Sequence, residues 1–227
     1  MLRVSSPPVI RTSRLYNIDM KTGNITDSDK NLLTNMLAVP GFLTYDLEGK
    51  GIEVKPGRYS PVYVNMKTTW SYPDVLFPIA ERLSDLCRGC DCVIGIETGG
   101  SPYASSISRD LKISLLLARK EAKEQMGVLA GYLNSEEKEF AVVDDVLATG
   151  RSSERGFLSV KSHDNKVRIV SVLSYGIDRL IAKKYGVEVR SLYQIDDLLN
   201  ALDLELALKL TPSIRAYQEK LRGIINI

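Results

Sequence analysis

Asp144 and Asp145 stand side by side, and Val146-Leu147 leads from them into Ala148-Thr149-Gly150-Arg151-Ser152. Paired carboxylates suit vicinal hydroxyls or a metal-chelated polyol phosphate. A turn of small residues before a helix offers backbone N–H groups and hydroxyls to a phosphate. Together the two features describe a sugar-phosphate site. No Gly-Lys-Ser/Thr follows the glycine, so the turn is not a Walker loop. The bland alternative is a solvated strand-to-helix turn with an Asp or Ser as helix cap.

Three other stretches carry charge or glycine where a ligand would use them. Glu97-Thr98-Gly99-Gly100-Ser101-Pro102 is a second glycine-rich turn before a helix, and its backbone donors suit another anionic group. Arg119, Lys120 and Lys123 put three cations within five residues, a set able to surround a pyrophosphate leaving group. Lys55-Pro56-Gly57-Arg58-Tyr59-Ser60-Pro61-Val62-Tyr63 offers a cation and a flat ring to a planar anion. Arg179 can pair bidentately with a carboxylate. Taken singly, each also reads as ordinary surface: a tight turn, a basic loop, an edge strand, a helix-start ion pair.

The string around Asp144-Asp145 closely resembles the ribose-phosphate signature of the type I phosphoribosyltransferases, which bind 5-phosphoribosyl-1-diphosphate. The Lys-x-Gly, two residues, Ser-Pro segment at Lys55 and the Arg-Lys-Glu-x-Lys run at Arg119 narrow the resemblance to the orotate phosphoribosyltransferase family. Four motifs fall in family order between about residues 30 and 222, and Tyr217-Gln218-Glu219-Lys220 resembles the family's C-terminal helix. The resemblance implies that Thr98, Gly99, Gly100, Arg119, Lys120, Lys123 and the run Asp144, Asp145, Val146, Leu147, Ala148, Thr149, Gly150, Arg151, Ser152 bind the diphosphate substrate. Orotate would be held by Lys55, Tyr63, Thr149 and Arg179. Lys123, Asp144 and Asp145 would be catalytic, with Mg²⁺ bound chiefly through substrate oxygens and water. The lysine would ride on a mobile loop reaching the neighbouring site of a homodimer. Two departures from the family are plain. Pro56 stands where a serine is usual, and the loop after Lys123 reads Glu124-Gln125-Met126-Gly127, with Gln125 near the usual histidine.

The elements that must position these groups alternate. Apolar runs at Val93–Ile96, Ile113–Leu117, Phe140–Val143, Val167–Leu173 and Val187–Leu192 read as strands, buried on both faces where they are continuous. Helical spacing appears at Asp29–Ala38, Pro73–Leu86, Glu154–Ser162, Asp196–Ala201 and Thr211–Arg222. Such alternation predicts an α/β fold, a parallel sheet flanked by helices. Ligands in such sheets sit beyond the carboxyl ends of the strands, where the motifs fall. One domain spanning 1–227 is expected: an N-terminal arm and hood over 1–72, the core over 73–192, and C-terminal helices over 193–227.

Composition narrows the classes. A net charge of +2 over 227 residues offers no basic footprint for nucleic acid. No apolar run reaches the ~18 residues of a membrane span, and the N-terminus lacks the apolar core of a signal peptide. Three cysteines, an odd number, favour a reducing cytoplasm. Cys87, Cys90 and Cys92 read as core fillers, because a fourth metal ligand is hard to find. Two other functions share most of these features: transfer to a different nucleobase, and a non-catalytic regulator that senses the diphosphate.

Overall fold

The computed structural model describes residues 26–123, 127–162 and 164–225. The arm expected over most of 1–27, the loop residues Glu124, Gln125 and Met126, and His163 lie outside them. Helix α1 (Asp27–Leu37) is followed by four short strands: β1 (Leu43–Tyr45), β2 (Ile52–Lys55), β3 (Arg58–Ser60) and β4 (Val62–Val64). A 3₁₀ helix at Met66–Ser71 leads to α2 (Pro73–Leu86), β5 (Cys92–Ile96), α3 (Ser101–Leu111), β6 (Ser114–Lys123) and β7 (Gly127–Ala130). Then come β8 (Glu139–Leu147), α4 (Arg151–Val160), β9 (Lys166–Ser174), α5 (Asp178–Tyr185), β10 (Glu188–Gln194), α6 (Ile195–Ala201) and α7 (Leu204–Ile225).

The main sheet has six strands in the order β10-β9-β8-β5-β6-β7. All its pairs are parallel except β6–β7. Every residue of β5 is buried, as its unbroken apolar run requires of a strand covered on both faces. Glycine at 95 lets α3 settle on β5: a Cβ there would stand 2.8 Å from that of Ala104. The parallel sheet flanked by helices is the fold expected.

Several boundaries move for physical reasons. Strand β8 runs on past Val143 because its pairing with β9 continues to Leu147↔Ser174, so both aspartates lie within the strand. Strand β6 runs past Leu117 to Lys123 because β7 folds back along it and pairs Lys123 with Gly127. The basic run, expected at a strand end, lies within the strand, and Lys123, expected on a loop, is its last residue. Thr26 caps α1: its hydroxyl accepts from the Asp29 N–H while the Asp29 carboxylate accepts from the Thr26 N–H. Helix α4 begins at Arg151, immediately after Gly150, which is left-handed at φ 71°. Helix α7 begins seven residues before the expected Thr211. Pro212, which reads as a start signal, lies inside the helix, where its missing N–H forfeits one backbone bond.

The short strands stand over the strand ends as two small antiparallel pairs, β1–β4 and β2–β3. Phe42, Val62, Val64 and Met66 from this region join the main core. Tyr175, just past β9, donates its hydroxyl to the Val62 carbonyl at 3.3 Å and so ties β4 to the sheet. Helix α1 is pinned by a buried ion pair, Arg82 Nε to Asp29 Oδ1 at 2.7 Å, with Ser28 Oγ also accepting from Arg82. Burial works against the Asp29 charge, but the Thr26 hydrogen bonds and the Arg82 guanidinium hold its carboxyl below the usual range. Among the described residues no helix is long and apolar enough to cross a membrane.

Candidate active site

A cleft of about 280 Å³ opens between the carboxyl ends of β5 and β8 and the short strands above them. Its floor is one continuous stretch of chain, Asp144 to Ser152. Successive side chains of a strand alternate in direction, and the two aspartates divide accordingly. Asp144 is buried and accepts from Ser153 Oγ at 3.2 Å and from the Asp145 N–H at 3.0 Å. Asp145 is half-buried at the cleft wall, and its own Oδ1 accepts from the Val146 N–H at 2.8 Å. Burial first, and then the Asp145 charge, push the Asp144 carboxyl well above the usual range. Asp144 therefore holds a proton more readily than an ordinary carboxyl.

The second glycine turn packs against this floor with no space for side chains. A Cβ on Gly99 would stand 2.2 Å from the Asp145 carboxyl carbon, and one on Gly100 would stand 2.0 Å from the Val143 carbonyl oxygen. Neither glycine has a positive φ, so both serve close approach and not an unusual turn. The peptide bond between Glu97 and Thr98 is cis. Glu97, Thr98 and Gly99 line the cleft; Gly100 lies just behind. At the far end of the floor Gly150 is needed twice over, for its left-handed φ and because a Cβ would meet Ile181 Cδ1 at 2.5 Å.

Of the other expected residues, Lys55 and Tyr63 line the cleft from β2 and β4. Arg119 and Lys120 are not among its lining residues. Arg119 is half-buried in the β6–β7 hairpin and donates to the carbonyls of Gly127 and Leu129, at 3.3 and 3.1 Å. Lys123 is the last residue of β6. Arg179, expected against a carboxylate, is exposed on the first turn of α5 and does not line the cleft. The register between β9 and α5 accounts for this: Tyr175, Gly176 and Ile177 intervene, and Tyr175 takes the position facing the cleft.

Asn65, Lys67 and Tyr175, which no motif singled out, line the cleft, as do Ser60 and Tyr217, which stood in motifs without a site role of their own. Lys67 is exposed four residues after Tyr63, across the end of β4, and its exposed side was legible as a continuation of the Tyr63 face. Nothing in the sequence could have brought Tyr217 there, because it depends on how α7 packs against α5 and α6.

Glu97, Asp144 and Asp145 give the cleft a set of hard oxygen donors. Among the described residues no group of three or more His, Cys, Asp or Glu side chains is arranged to hold a metal. This donor set fits a Mg²⁺ ion carried mainly by substrate oxygens and water, with a carboxylate at its edge. Cys87, Cys90 and Cys92 are buried, free and remote from the cleft. Burial pushes the Cys87 and Cys92 thiols up to about 12, so both stay protonated and unreactive.

Residues 78–206 match the family model of the phosphoribosyl transferase domain. The chain is similar to orotate phosphoribosyltransferase of Pyrobaculum aerophilum, 31% identical over an alignment of 166 residues that covers 66% of this chain and 81% of that one. In fold it is similar to orotate phosphoribosyltransferase of Aeropyrum pernix, with TM-score 0.60 and 24% identity over 74% of this chain and 96% of that one. It is also similar in fold to the UMP synthase of Leishmania donovani, with TM-score 0.66 and 19% identity, covering 84% of this chain but 41% of the longer protein.

Proposed function

The chain belongs to the phosphoribosyltransferase family, among the orotate phosphoribosyltransferases, and from that premise we propose that its cleft transfers the 5-phosphoribosyl group from 5-phosphoribosyl-1-diphosphate to orotate. The products are orotidine 5′-monophosphate and pyrophosphate, a step of pyrimidine biosynthesis. The observation that carries the reading is the meeting of Asp144–Ser152, Glu97–Gly99, Lys55 and Tyr63 around one cleft.

In this reading the Thr149–Ser152 turn holds the 5′-phosphate with backbone N–H groups and hydroxyls at the start of α4. Asp145 faces the ribose hydroxyls, and Asp144, braced by Ser153, stands behind it. The Thr98–Gly100 turn receives the diphosphate. Lys55 and Tyr63 position the base, with Thr149 at its edge. The bond between the anomeric carbon and the diphosphate oxygen breaks as the orotate ring nitrogen bonds to that carbon; the electron pair leaves on pyrophosphate, and the proton of the ring N–H passes to the departing pyrophosphate or to water. Catalysis comes from positioning and from charge placed where the transition state needs it. The Asp145 charge lies beside the developing oxocarbenium, and Lys120 and Lys123 neutralise the departing diphosphate. Mg²⁺, held by substrate oxygens and water, supplies further neutralisation of the diphosphate when bound. Lys123 acts from the tip of the β6–β7 hairpin into the neighbouring site of a homodimer. The three free buried thiols suit a reducing cytoplasm.

Incubation with the diphosphate, orotate and Mg²⁺ should yield a nucleotide with the mass of orotidine 5′-monophosphate. Release of no nucleotide would overturn the assignment.

A further inference from the structure

The base end of the cleft holds an aromatic pair that no motif assigns. Tyr217, from the middle of α7, and Tyr175, just past β9, both line it. Their rings meet edge to face, with centroids 5.5 Å apart and planes at 76°. Tyr175 is 4% exposed and its hydroxyl is committed to the Val62 carbonyl, whereas Tyr217 keeps a partly open ring. The pair is held in register from behind: buried Gln218, next to Tyr217 on α7, donates to the Tyr175 carbonyl at 3.0 Å. Ser60, which also lines the cleft, donates its hydroxyl to the Val62 carbonyl at 2.6 Å, the same carbonyl that Tyr175 reaches. An aromatic ring fixed at an edge-to-face contact on one side and open to a cleft on the other is a platform for a flat ligand.

We propose that Tyr217 is a base-positioning residue: its ring packs against the pyrimidine of the acceptor, so the C-terminal helix α7 closes the base end of the cleft. This rests on the reading of the cleft as an orotate site. It gives the 22-residue helix, which otherwise packs on α5 and α6, a direct part in the choice of base. With Arg179 on the surface, the shape and polarity of the Tyr217, Tyr175 and Ser60 wall take on discrimination that a guanidinium would otherwise exert.

Steady-state kinetics of Tyr217→Leu and Tyr217→Phe test it. Tyr217→Leu keeps the apolar bulk on α7 but removes the ring, and should raise the KM for orotate about tenfold while the KM for the diphosphate stays within about twofold. Tyr217→Phe restores the ring and should return the orotate KM to near the wild-type value. An unchanged orotate KM in Tyr217→Leu, or an equal rise for both substrates, overturns the proposal. In the wild-type protein, orotidine 5′-monophosphate should protect Tyr217 from nitration by tetranitromethane, mapped by mass spectrometry. Equal nitration with and without the nucleotide overturns it even should the leucine variant fail to fold. A wild-type protein that turns over no orotate instead refutes the assignment of the cleft, a result separable from either of these.

Discussion

Asp145 fills the space that a side chain on Gly99 would need: the missing Cβ would lie 2.2 Å from its carboxyl carbon. The Asp144–Asp145 strand end and the Glu97–Gly100 turn are therefore in direct contact. Gly99→Ala should displace the Asp145 carboxylate, which can rotate, and so raise the KM for the diphosphate about tenfold with the fold retained. Gly100→Ala meets the Val143 carbonyl oxygen at 2.0 Å, and backbone cannot swing aside. That variant should lose stability by roughly 3 kcal/mol or more in thermal or urea unfolding. Equal behaviour of the two variants would remove this distinction.

Asp144 gives a pH signature opposite to that of an ordinary ion-paired carboxylate. Burial and the neighbouring Asp145 charge raise its carboxyl in the folded state, so the native protein binds a proton there that the unfolded chain has released. Its contribution to stability is then most favourable below the usual carboxylate range and is lost as the pH rises toward about 8. Asp144→Asn should therefore gain stability over wild type as the pH is raised through that window, while losing activity. Subtracting the two unfolding profiles isolates the effect from Asp29 and Glu188, whose depressed carboxyls act in the opposite sense. A difference that stays flat with pH would contradict a raised Asp144.

Lys55 and Arg179, both expected to hold the base, separate in space. Lys55 lines the cleft and Arg179 is exposed outside it. Lys55→Ala should raise the KM for orotate about tenfold, the loss of one charge-assisted contact. Arg179→Ala should leave it within about twofold, as expected of a surface substitution. A large rise with Arg179→Ala would mean that α5 moves on binding to bring the guanidinium in.

Lys123 tests the leaving-group chemistry. Its place at the end of β6 puts it at the tip of a two-stranded hairpin, and its assigned role is to meet charge that appears as the diphosphate departs. Lys123→Ala should lower kcat about a hundredfold with little change in either KM. Unchanged turnover would remove it from the mechanism.

How far the sequence reaches is clear from individual residues. Chemistry carried by contiguous residues was legible: Asp144–Ser152 form one floor because a strand, a turn and a helix start must follow one another there. Helix α2 fell on its expected bounds because Pro73 opens it and its apolar stripe is regular. The reading weakened where geometry depends on tertiary pairing. The basic run after Leu117 has the composition of a loop, yet β7 returns to pair with it. Arg179 sits the right kind of distance past a strand, but the Tyr175-Gly176-Ile177 connection turns it outward. Tyr217 could not be foreseen, because its position is set by α7 packing back on Tyr175 through Gln218.

The most direct test is a forward assay with 5-phosphoribosyl-1-diphosphate and, in separate reactions, orotate, adenine, uracil and xanthine, following pyrophosphate release. Pyrophosphate formed with orotate and with none of the other three bases is the result predicted. Turnover of another base without orotate would contradict it, and so would tight binding of the diphosphate with no turnover of any base.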